Sequence, residues 1–254
     1  MPKIDRDGVK IHYEIHGSGP TLLLSHGYSS TARMWDGQVA ALKDRYQVIV
    51  WDMRGHGESD YPTDPKLYSE ALTVGDMKAL LDLAGAHKAI VAGLSLGGYM
   101  SLAFNASHPE RVRALMLFDT GPGFKRDEAR AKWNETAHQR AATFDAKGLA
   151  ALNSSDEVAL TRHRDATGLA GAARGMLAQQ NDRVIQSLDK VAVPTLVLVG
   201  ANDTNFLAAT DYMAAKIKGA TKAVIPDAGH ASNLHQPARF NQAVEAFLAK
   251  LPAA

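Results

Sequence analysis

Short apolar segments alternate along this chain with longer segments in which apolar residues recur at helical spacing. Val9–His16 alternates apolar and polar side chains with a period of two, which predicts a strand. The turn-forming sequence Arg6-Asp7-Gly8 separates it from residues 3–5. We therefore expect these two segments to pair as a hairpin.

The remaining strand candidates are apolar runs without clean alternation, which is typical of strands buried on both faces of a parallel sheet. They lie at residues 21–25, 47–52, 88–92, 113–119, 195–200 and 222–226. Helical patterns separate them, at residues 35–42, 70–83, 98–107, 207–217 and 237–250. This alternation predicts an α/β fold with a mostly parallel central sheet and helices on both faces.

Residues 121–188 interrupt the alternation, because helix-like segments follow one another there without a strand. These segments lie at residues 127–143, 146–153, 156–164 and 170–180. A crossover between parallel strands needs only one helix. We therefore expect residues 121–188 to form a helical cap on a core domain made of residues 1–120 and 189–254. A set of ordinary crossover helices is the alternative.

Composition narrows the possible partners and chemistry. The 254 residues carry a net charge of +1, without the basic excess that nucleic acid or an anionic membrane attracts. The absence of cysteine excludes disulfides, thiolate metal sites and a cysteine nucleophile. No apolar run approaches the ~18 residues of a membrane-spanning helix, and the first ten residues do not look like a signal peptide. We expect a cytoplasmic protein, and a homodimer is left open.

A candidate nucleophile lies in the sequence Gly93-Leu94-Ser95-Leu96-Gly97, which fits the pattern G-x-S-x-G. An apolar run precedes it and a helical pattern follows, as a tight strand-to-helix turn requires. Glycine on both sides leaves room for such a turn, and the serine hydroxyl at its apex is exposed. The helix that follows directs its amides toward the site, which favours a developing negative charge.

A serine hydroxyl needs a base, and the base needs an orienting acid. We expect His230, which follows the last predicted strand, to be the base, with His235 as the second choice. Asp203 is the preferred acid because it follows the strand at residues 195–200, and catalytic groups of α/β sheets gather at carboxyl ends of strands. Asp119 is the second candidate. Asp227 lies too close to His230 in sequence to orient it.

Two backbone amides are needed to bind the oxyanion that forms in acyl transfer. One is expected to be the amide of Leu96, the residue after the nucleophile. The other is expected from the loop after the strand at residues 21–25, at the amide of Tyr28.

The sequence DMRGHGES at residues 52–59 is rich in glycine but lacks the phosphate-loop pattern. We interpret it as a structural loop in which Asp52 and Arg54 connect neighbouring loops. His12 and His16 flank Glu14, but i and i+4 on a strand are ~13 Å apart, so one ion cannot bridge them. We expect no metal and no organic cofactor.

Together these motifs resemble the α/β-hydrolase superfamily over almost the whole chain. The matching residues occur in the family's order and are His26-Gly27 with Trp35, the run at 52–59, residues 93–98, Asp203 and Gly229-His230. The resemblance implies Ser95 as nucleophile, His230 as base, Asp203 as acid, the Tyr28 and Leu96 amides as oxyanion donors, and a helical cap.

The resemblance also implies a range of reactions. Enzymes of this fold that open epoxides or remove halides use an aspartate nucleophile, so Ser95 favours cleavage of carboxylic esters in a small substrate through an acyl-enzyme. Alternatives are a lactonase, a carbon–carbon bond hydrolase, and a ligand-binding receptor of the same fold.

Two sequences are similar to those of 3-oxoadipate enol-lactonases: Trp35-Asp36 followed by Gln38, and residues 230–233 followed by Gln236-Pro237. An anionic lactone requires a cation in the pocket. Arg33, Arg162 and Arg164 are the candidates, although a solvated surface charge is the better interpretation of each.

Overall fold

The computed structural model describes residues 2–252. Within them, one sheet has the strand order β1-β2-β4-β3-β5-β6-β7-β8. The strands are β1 (Lys3–Arg6), β2 (Val9–His16), β3 (Thr21–Ser25), β4 (Gln47–Trp51), β5 (Ala89–Leu94), β6 (Val112–Phe118), β7 (Thr195–Gly200) and β8 (Thr221–Ile225). β1 pairs antiparallel with β2, and β2 pairs antiparallel with β4, whereas all other pairs are parallel. The predicted hairpin and the mostly parallel sheet are confirmed.

Helices cover both faces of this sheet. The helices are α1 (Asp36–Leu42), α2 (Glu70–Leu83), α3 (Leu96–Ser107), α4 (Asp127–Lys147), α5 (Asp156–Ala159), α6 (Ala166–Ala172), α7 (Arg183–Gln186), α8 (Leu207–Lys216), α9 (Ser232–His235) and α10 (Pro237–Leu248). Within residues 2–252, no helix combines the length and apolar character that crossing a membrane requires.

The central strands are apolar throughout because both of their faces are buried. In β3, Leu22 and Leu24 face α1 and α10, while Leu23 packs with α2 and α3 on the opposite face. All three side chains are at most 1% exposed. Burying a leucine side chain contributes ~1.5–3 kcal/mol, so these strands supply much of the stability of the core.

The region between β6 and β7 contains α4, α5, α6 and α7 and no strand. α4 is longer than predicted and ends at Lys147, where Gly148 adopts a positive φ of 59°. The helix predicted at residues 146–153 is wrong, since only a 3-10 turn at Gly148–Ala151 forms there. The helix predicted at 156–164 ends at Ala159. Residues 121–188 as a separate cap domain stay a prediction.

Two other boundaries differ for identifiable reasons. The helix predicted from residue 98 begins at Leu96, because Gly97 and Gly98 are helical residues whose missing side chains permit close packing. The segment predicted as helix at 170–180 starts earlier, at Ala166. There the Asp165 carboxylate accepts a hydrogen bond from Thr167 N, and a π-helical turn at Ala173–Leu177 ends the segment.

Candidate active site

Ser95 occupies a sharp turn between β5 and α3. Its backbone has φ 54° and ψ −117°, a conformation that costs a non-glycine residue ~1–3 kcal/mol. Hydrogen bonds on both sides hold it there. Ser95 N donates to Phe118 O at 2.9 Å, and the Thr120 hydroxyl donates to Ser95 O at 2.6 Å. Neighbouring strand β6 therefore stabilises the strained residue.

The glycines of the motif are required by contact distances. A Cβ atom at Gly93 would lie 2.3 Å from the carbonyl carbon of Gly97. A Cβ atom at Gly97 would lie 2.1 Å from the carbonyl oxygen of Ser25 at the end of β3. Both distances are far below van der Waals contact, so any side chain at these positions would push the turn away from the sheet.

His230 and Asp203 form a hydrogen-bonded pair at the carboxyl ends of β8 and β7. His230 Nδ1 lies 2.7 Å from Asp203 Oδ2. The carboxylate is 4% exposed, whereas the imidazole is 36% exposed and stacks on Phe206 at 5.0 Å between ring centroids. Because the aspartate accepts from Nδ1–H, the neutral ring leaves Nε2 unprotonated, as a general base requires.

Opposing influences set the pKa of His230. Burial disfavours the imidazolium and lowers the pKa, while the hydrogen bond and charge of Asp203, and the charges of Asp119 and Glu157, raise it. The net effect is a pKa above the ordinary histidine value. A base with such a pKa holds a proton taken from a nucleophile more readily.

The other candidates for base and acid lie elsewhere. Asp119 is buried and bridges two loops, accepting from Gly200 N at 2.7 Å and from the Ser232 hydroxyl. Asp227 is exposed and lies 3.2 Å from Arg239. His235 accepts from Gly229 N at 2.9 Å, so it supports the loop that carries His230.

The predicted oxyanion loop borders the nucleophile. A Cβ atom at Gly27 would lie 3.4 Å from Cβ of Ser95, so the loop backbone passes directly beside the serine. Tyr28 and Leu96 both line the cavity into which Ser95 opens. The Tyr28 hydroxyl donates to Leu169 O of α6 at 2.8 Å. The loop is thus connected to the helices between β6 and β7.

The loop at residues 52–59 is structural, as interpreted from the sequence. Asp52 accepts from Ala32 N at 2.7 Å and from Glu58 N at 2.9 Å. Arg54 donates two hydrogen bonds to Asp76 of α2, at 2.6 and 2.8 Å, and both side chains are buried. Burial raises the pKa of Asp76, while the hydrogen bonds and charge of Arg54 oppose that rise.

Ser95, His230 and Asp203 line one cavity of about 700 Å³ beneath the helices of residues 121–188. This volume suits a small organic ligand. Its apolar side chains come from both parts of the chain: Tyr28, Leu94, Leu96, Tyr99, Pro122, Phe124, Trp133, Leu177, Phe206 and Ala209.

The charged lining of this cavity differs from the sequence expectation. Arg33, Arg162 and Arg164 are not among the described residues that line it, and Arg33 lies 3.9 Å from Asp36 on the surface. Among residues 2–252, Arg140 of α4 is the one Lys or Arg that lines it, and the carboxylate residue Glu157 lines it as well. The sequence did hold a signal, because α4 buries Ala137, Ala141 and Phe144 along one face, and Arg140 flanks that face.

Glu14 lies between two histidines on β2. One carboxylate oxygen is 3.3 Å from His12 Nε2 and the other is 3.1 Å from His16 Nε2. Each imidazole therefore meets its own oxygen, as in paired hydrogen bonds. Among residues 2–252, no group of three or more His, Asp or Glu side chains is arranged to hold a metal ion.

A model of the alpha/beta hydrolase fold matches residues 20–162. 3-Oxoadipate enol-lactonase 2 of Acinetobacter baylyi is 29% identical over 94% of this chain and 93% of its own. A thermophilic esterase from Thermogutta terrifontis, solved with malate bound, is 28% identical over 99% of each chain, with a TM-score of 0.86. The enol-lactonase from Burkholderia xenovorans is 28% identical over 98% of this chain and 100% of its own, with a TM-score of 0.80.

Proposed function

The chain belongs to the α/β-hydrolase family, and on that premise we propose that it is a serine hydrolase that cleaves carboxylic ester bonds of small substrates. One observation carries this proposal. A serine at the apex of a strained turn opens into the same cavity as a histidine that is hydrogen bonded to a buried aspartate. Nucleophile, base and orienting acid is the set of groups that acyl transfer requires.

The proposed reaction has two steps. Ser95 Oγ attacks the ester carbonyl while His230 Nε2 takes the hydroxyl proton, and the amides of Tyr28 and Leu96 bind the oxyanion. His230 then protonates the leaving alcohol. Water repeats the sequence on the acyl-enzyme and releases the acid. Asp203 holds the imidazole in the required tautomer throughout.

A lactone is the second candidate substrate. A lactone is a cyclic ester, so the same groups would open it. Arg140 in the cavity lining favours a substrate with a free carboxylate, as a charge-assisted hydrogen bond would hold it. Two relatives are named as enol-lactonases, whereas the Thermogutta protein is named as an esterase.

The test is hydrolysis of p-nitrophenyl acetate and butyrate by the wild type and by Ser95→Ala. We expect the variant to lose at least ~10⁴-fold in kcat, as other serine hydrolases do without their nucleophile. Ser107→Ala is the matched control, because Ser107 lies at the far end of the same helix and outside the cavity lining. It should retain wild-type activity.

Other outcomes would reject the ester proposal. Equal activity in the wild type and Ser95→Ala would exclude the serine mechanism. Without ester turnover, labelling of Ser95 by a fluorophosphonate and cleavage of a β-diketone would identify a carbon–carbon bond hydrolase. Neither turnover nor labelling would favour a ligand-binding protein of this fold.

A further inference from the structure

Two histidines from different parts of the chain hold the backbone of Ser29, the residue after the proposed oxyanion donor. His56 Nε2 accepts from Ser29 N at 3.2 Å. His163, between α5 and α6, lies with Nε2 3.0 Å from Ser29 O. Ser29 has a positive φ of 57°, so it needs such support to keep its conformation.

A third histidine holds the peptide bond on the other side of Tyr28. His26 Nδ1 lies 2.7 Å from Gly27 O, and its Nε2 accepts from Met53 N at 2.9 Å. The carbonyl of Gly27 and the N–H of Tyr28 belong to one trans peptide plane and point in opposite directions. Orienting the carbonyl therefore orients the amide that is proposed to bind the oxyanion.

The three imidazoles form one buried cluster. Ring centroids of His26 and His56 are 5.0 Å apart, and those of His56 and His163 are 5.7 Å apart. Burial lowers the pKa of His26 to about 4, and burial also lowers the pKa of His56 and His163. Each ring uses one nitrogen as an acceptor for a backbone N–H, which requires the neutral form.

His163 is the member of this cluster that belongs to the helices between β6 and β7. Its Nδ1 accepts from Gly57 N at 3.2 Å, which leaves the proton on Nε2 for Ser29 O. In the same region, Leu169 O accepts a hydrogen bond from the Tyr28 hydroxyl. His163 is not among the described residues lining the cavity, so it acts on substrate only through the loop.

We propose that His163 is a positioning residue that couples placement of the helices over the site to the geometry of the oxyanion-binding amide of Tyr28. This inference rests on the proposed function. When these helices are seated, His163 fixes Ser29 O and the loop presents the Tyr28 N–H toward the Ser95 substrate carbonyl. When they move away, that bond is lost and the amide turns out of line.

A residue in this role affects the transition state more than substrate binding. The oxyanion exists only in the transition state and the tetrahedral intermediate, so a misplaced donor lowers kcat and leaves KM nearly unchanged. Displacement of a catalytic group by ~1 Å costs ~10²-fold, and loss of one oxyanion donor costs ~10²–10³-fold. We expect a loss in kcat of about 10- to 100-fold.

The experiment compares four variants with p-nitrophenyl butyrate. His163→Phe keeps the ring volume but removes both hydrogen bonds. His163→Asn retains an acceptor for Gly57 N but is too short to reach Ser29 O. His163→Gln places an oxygen and an NH₂ group near the two ring nitrogens and can keep both bonds. Arg164→Met removes a neighbouring contact to the core, between Arg164 and Ser59 O, without touching the oxyanion loop.

Support for His163 as a positioning residue has a defined pattern. The Phe and Asn variants lose about 10- to 100-fold in kcat with KM within about twofold, and Gln recovers most of that loss. The inhibition constant of a phenyl trifluoromethyl ketone, which forms an oxyanion on the serine, rises by the same factor as kcat/KM falls. Arg164→Met shows neither change. Asn keeps the test decisive even if Phe does not fold.

Contrary patterns overturn the inference in distinguishable ways. If Phe and Asn match the wild type, or Gln fails to recover the loss, or Arg164→Met loses as much kcat, His163 has no specific role and the proposed function stands. If kcat is unchanged and only KM rises in the Phe and Asn variants, His163 likewise has no positioning role and the proposed function stands. If wild-type protein neither hydrolyses esters nor reacts with a fluorophosphonate, the proposed function and this inference both fail.

Discussion

The Ser95 turn and the helices of residues 121–188 border the same cavity but are held in place by different kinds of contact. The turn is fixed by its own Gly93 and Gly97 and by the ends of β3 and β6, the strands that pair with β5 in the sheet. The helices reach the oxyanion loop through pairs that are 134 and 141 residues apart in sequence.

The residues proposed to catalyse the reaction and those proposed to select the substrate or tune the rate therefore lie in different parts of the chain. The proposed nucleophile, base and acid all lie on core loops at carboxyl ends of strands. Arg140, which lines the cavity, and His163, which contacts Ser29 O, lie between β6 and β7. Variants of Ser95, Asp203 and His230 are therefore expected to remove nearly all turnover, and variants of Arg140 and His163 are expected to change its rate or its substrate.

Asp203→Asn is the strongest test of the core. The asparagine can present its NH2 group to Nδ1, which then carries no proton, so the proton of neutral His230 moves to Nε2 and the ring cannot act as a base. We expect a fall in kcat of ~10⁴-fold with the fold intact. Asp227→Asn is the control, since Asp227 is exposed and faces Arg239. Similar losses in both variants would remove Asp203 from its proposed role.

The core was largely predictable from the sequence because the turn motif and the parallel sheet together impose its geometry. An apolar run, two glycines around a serine and a helical pattern leave few backbone paths. The glycine-flanked turn marks Ser95, and the positions just after predicted strands mark Asp203 and His230; the structure brings all three to one cavity. His230 follows β8 by five residues, so its loop has little freedom to carry it elsewhere.

The helices over the site were not predictable to the same degree. Their start and end signals are weak, since Gly148 ends α4 but residues 148–164 contain only short helical turns. The helical pattern places Arg140 beside the apolar face of α4, but only the packing of that face brings Arg140 to the cavity. His163 is one of ten histidines, and nothing local marks its contact with Ser29.

Asp119, buried in the core, is expected to make the stability of the protein depend on pH. Burial raises its pKa to about 7, while hydrogen bonds from Ser232 and Gly200 oppose that rise. The folded carboxyl therefore holds its proton above the unfolded pKa of ~3.9, and its stabilisation is lost as pH rises toward 7. We expect this group to reduce the free energy of unfolding by about 2–3 kcal/mol between pH 5 and pH 8.

Urea unfolding of wild type and Asp119→Asn at both pH values measures this effect. The asparagine cannot titrate, so the difference between the two proteins isolates Asp119 from the buried histidines, which destabilise at low pH. Parallel pH dependence in the two proteins would mean that Asp119 is ionised throughout this range.

Gly97→Ala tests the steric basis of the turn. The added Cβ would lie 2.1 Å from Ser25 O, so β3 and the turn must separate. We expect ~10²-fold lower kcat and a loss of unfolding free energy of about 1–3 kcal/mol. Gly37→Ala is the matched control in α1, where an added Cβ would meet no atom of residues 2–252 within 4 Å beyond its chain neighbours and the nearby helix backbone, and it should raise stability by ~0.5–1 kcal/mol. A harmless alanine at 97 would show that the turn tolerates a side chain.

Arg140→Gln is expected to have the smallest effect and the most selective one. For p-nitrophenyl hemisuccinate, whose acyl chain carries a carboxylate, KM should rise about 3- to 10-fold because one charge-assisted hydrogen bond is lost from a partly solvated site. For neutral p-nitrophenyl butyrate, KM and kcat should not change.

A general effect of charge can be separated from this local one. Arg162 is exposed and lies outside the described cavity lining, so Arg162→Gln removes the same charge from the same region without removing a contact. If Arg140 binds the carboxylate, only its variant raises KM, and the difference narrows in 1 M salt as the charges are screened. If both variants raise KM equally, the attraction comes from the overall field. That outcome would mean that Arg140 does not select the substrate through direct contact.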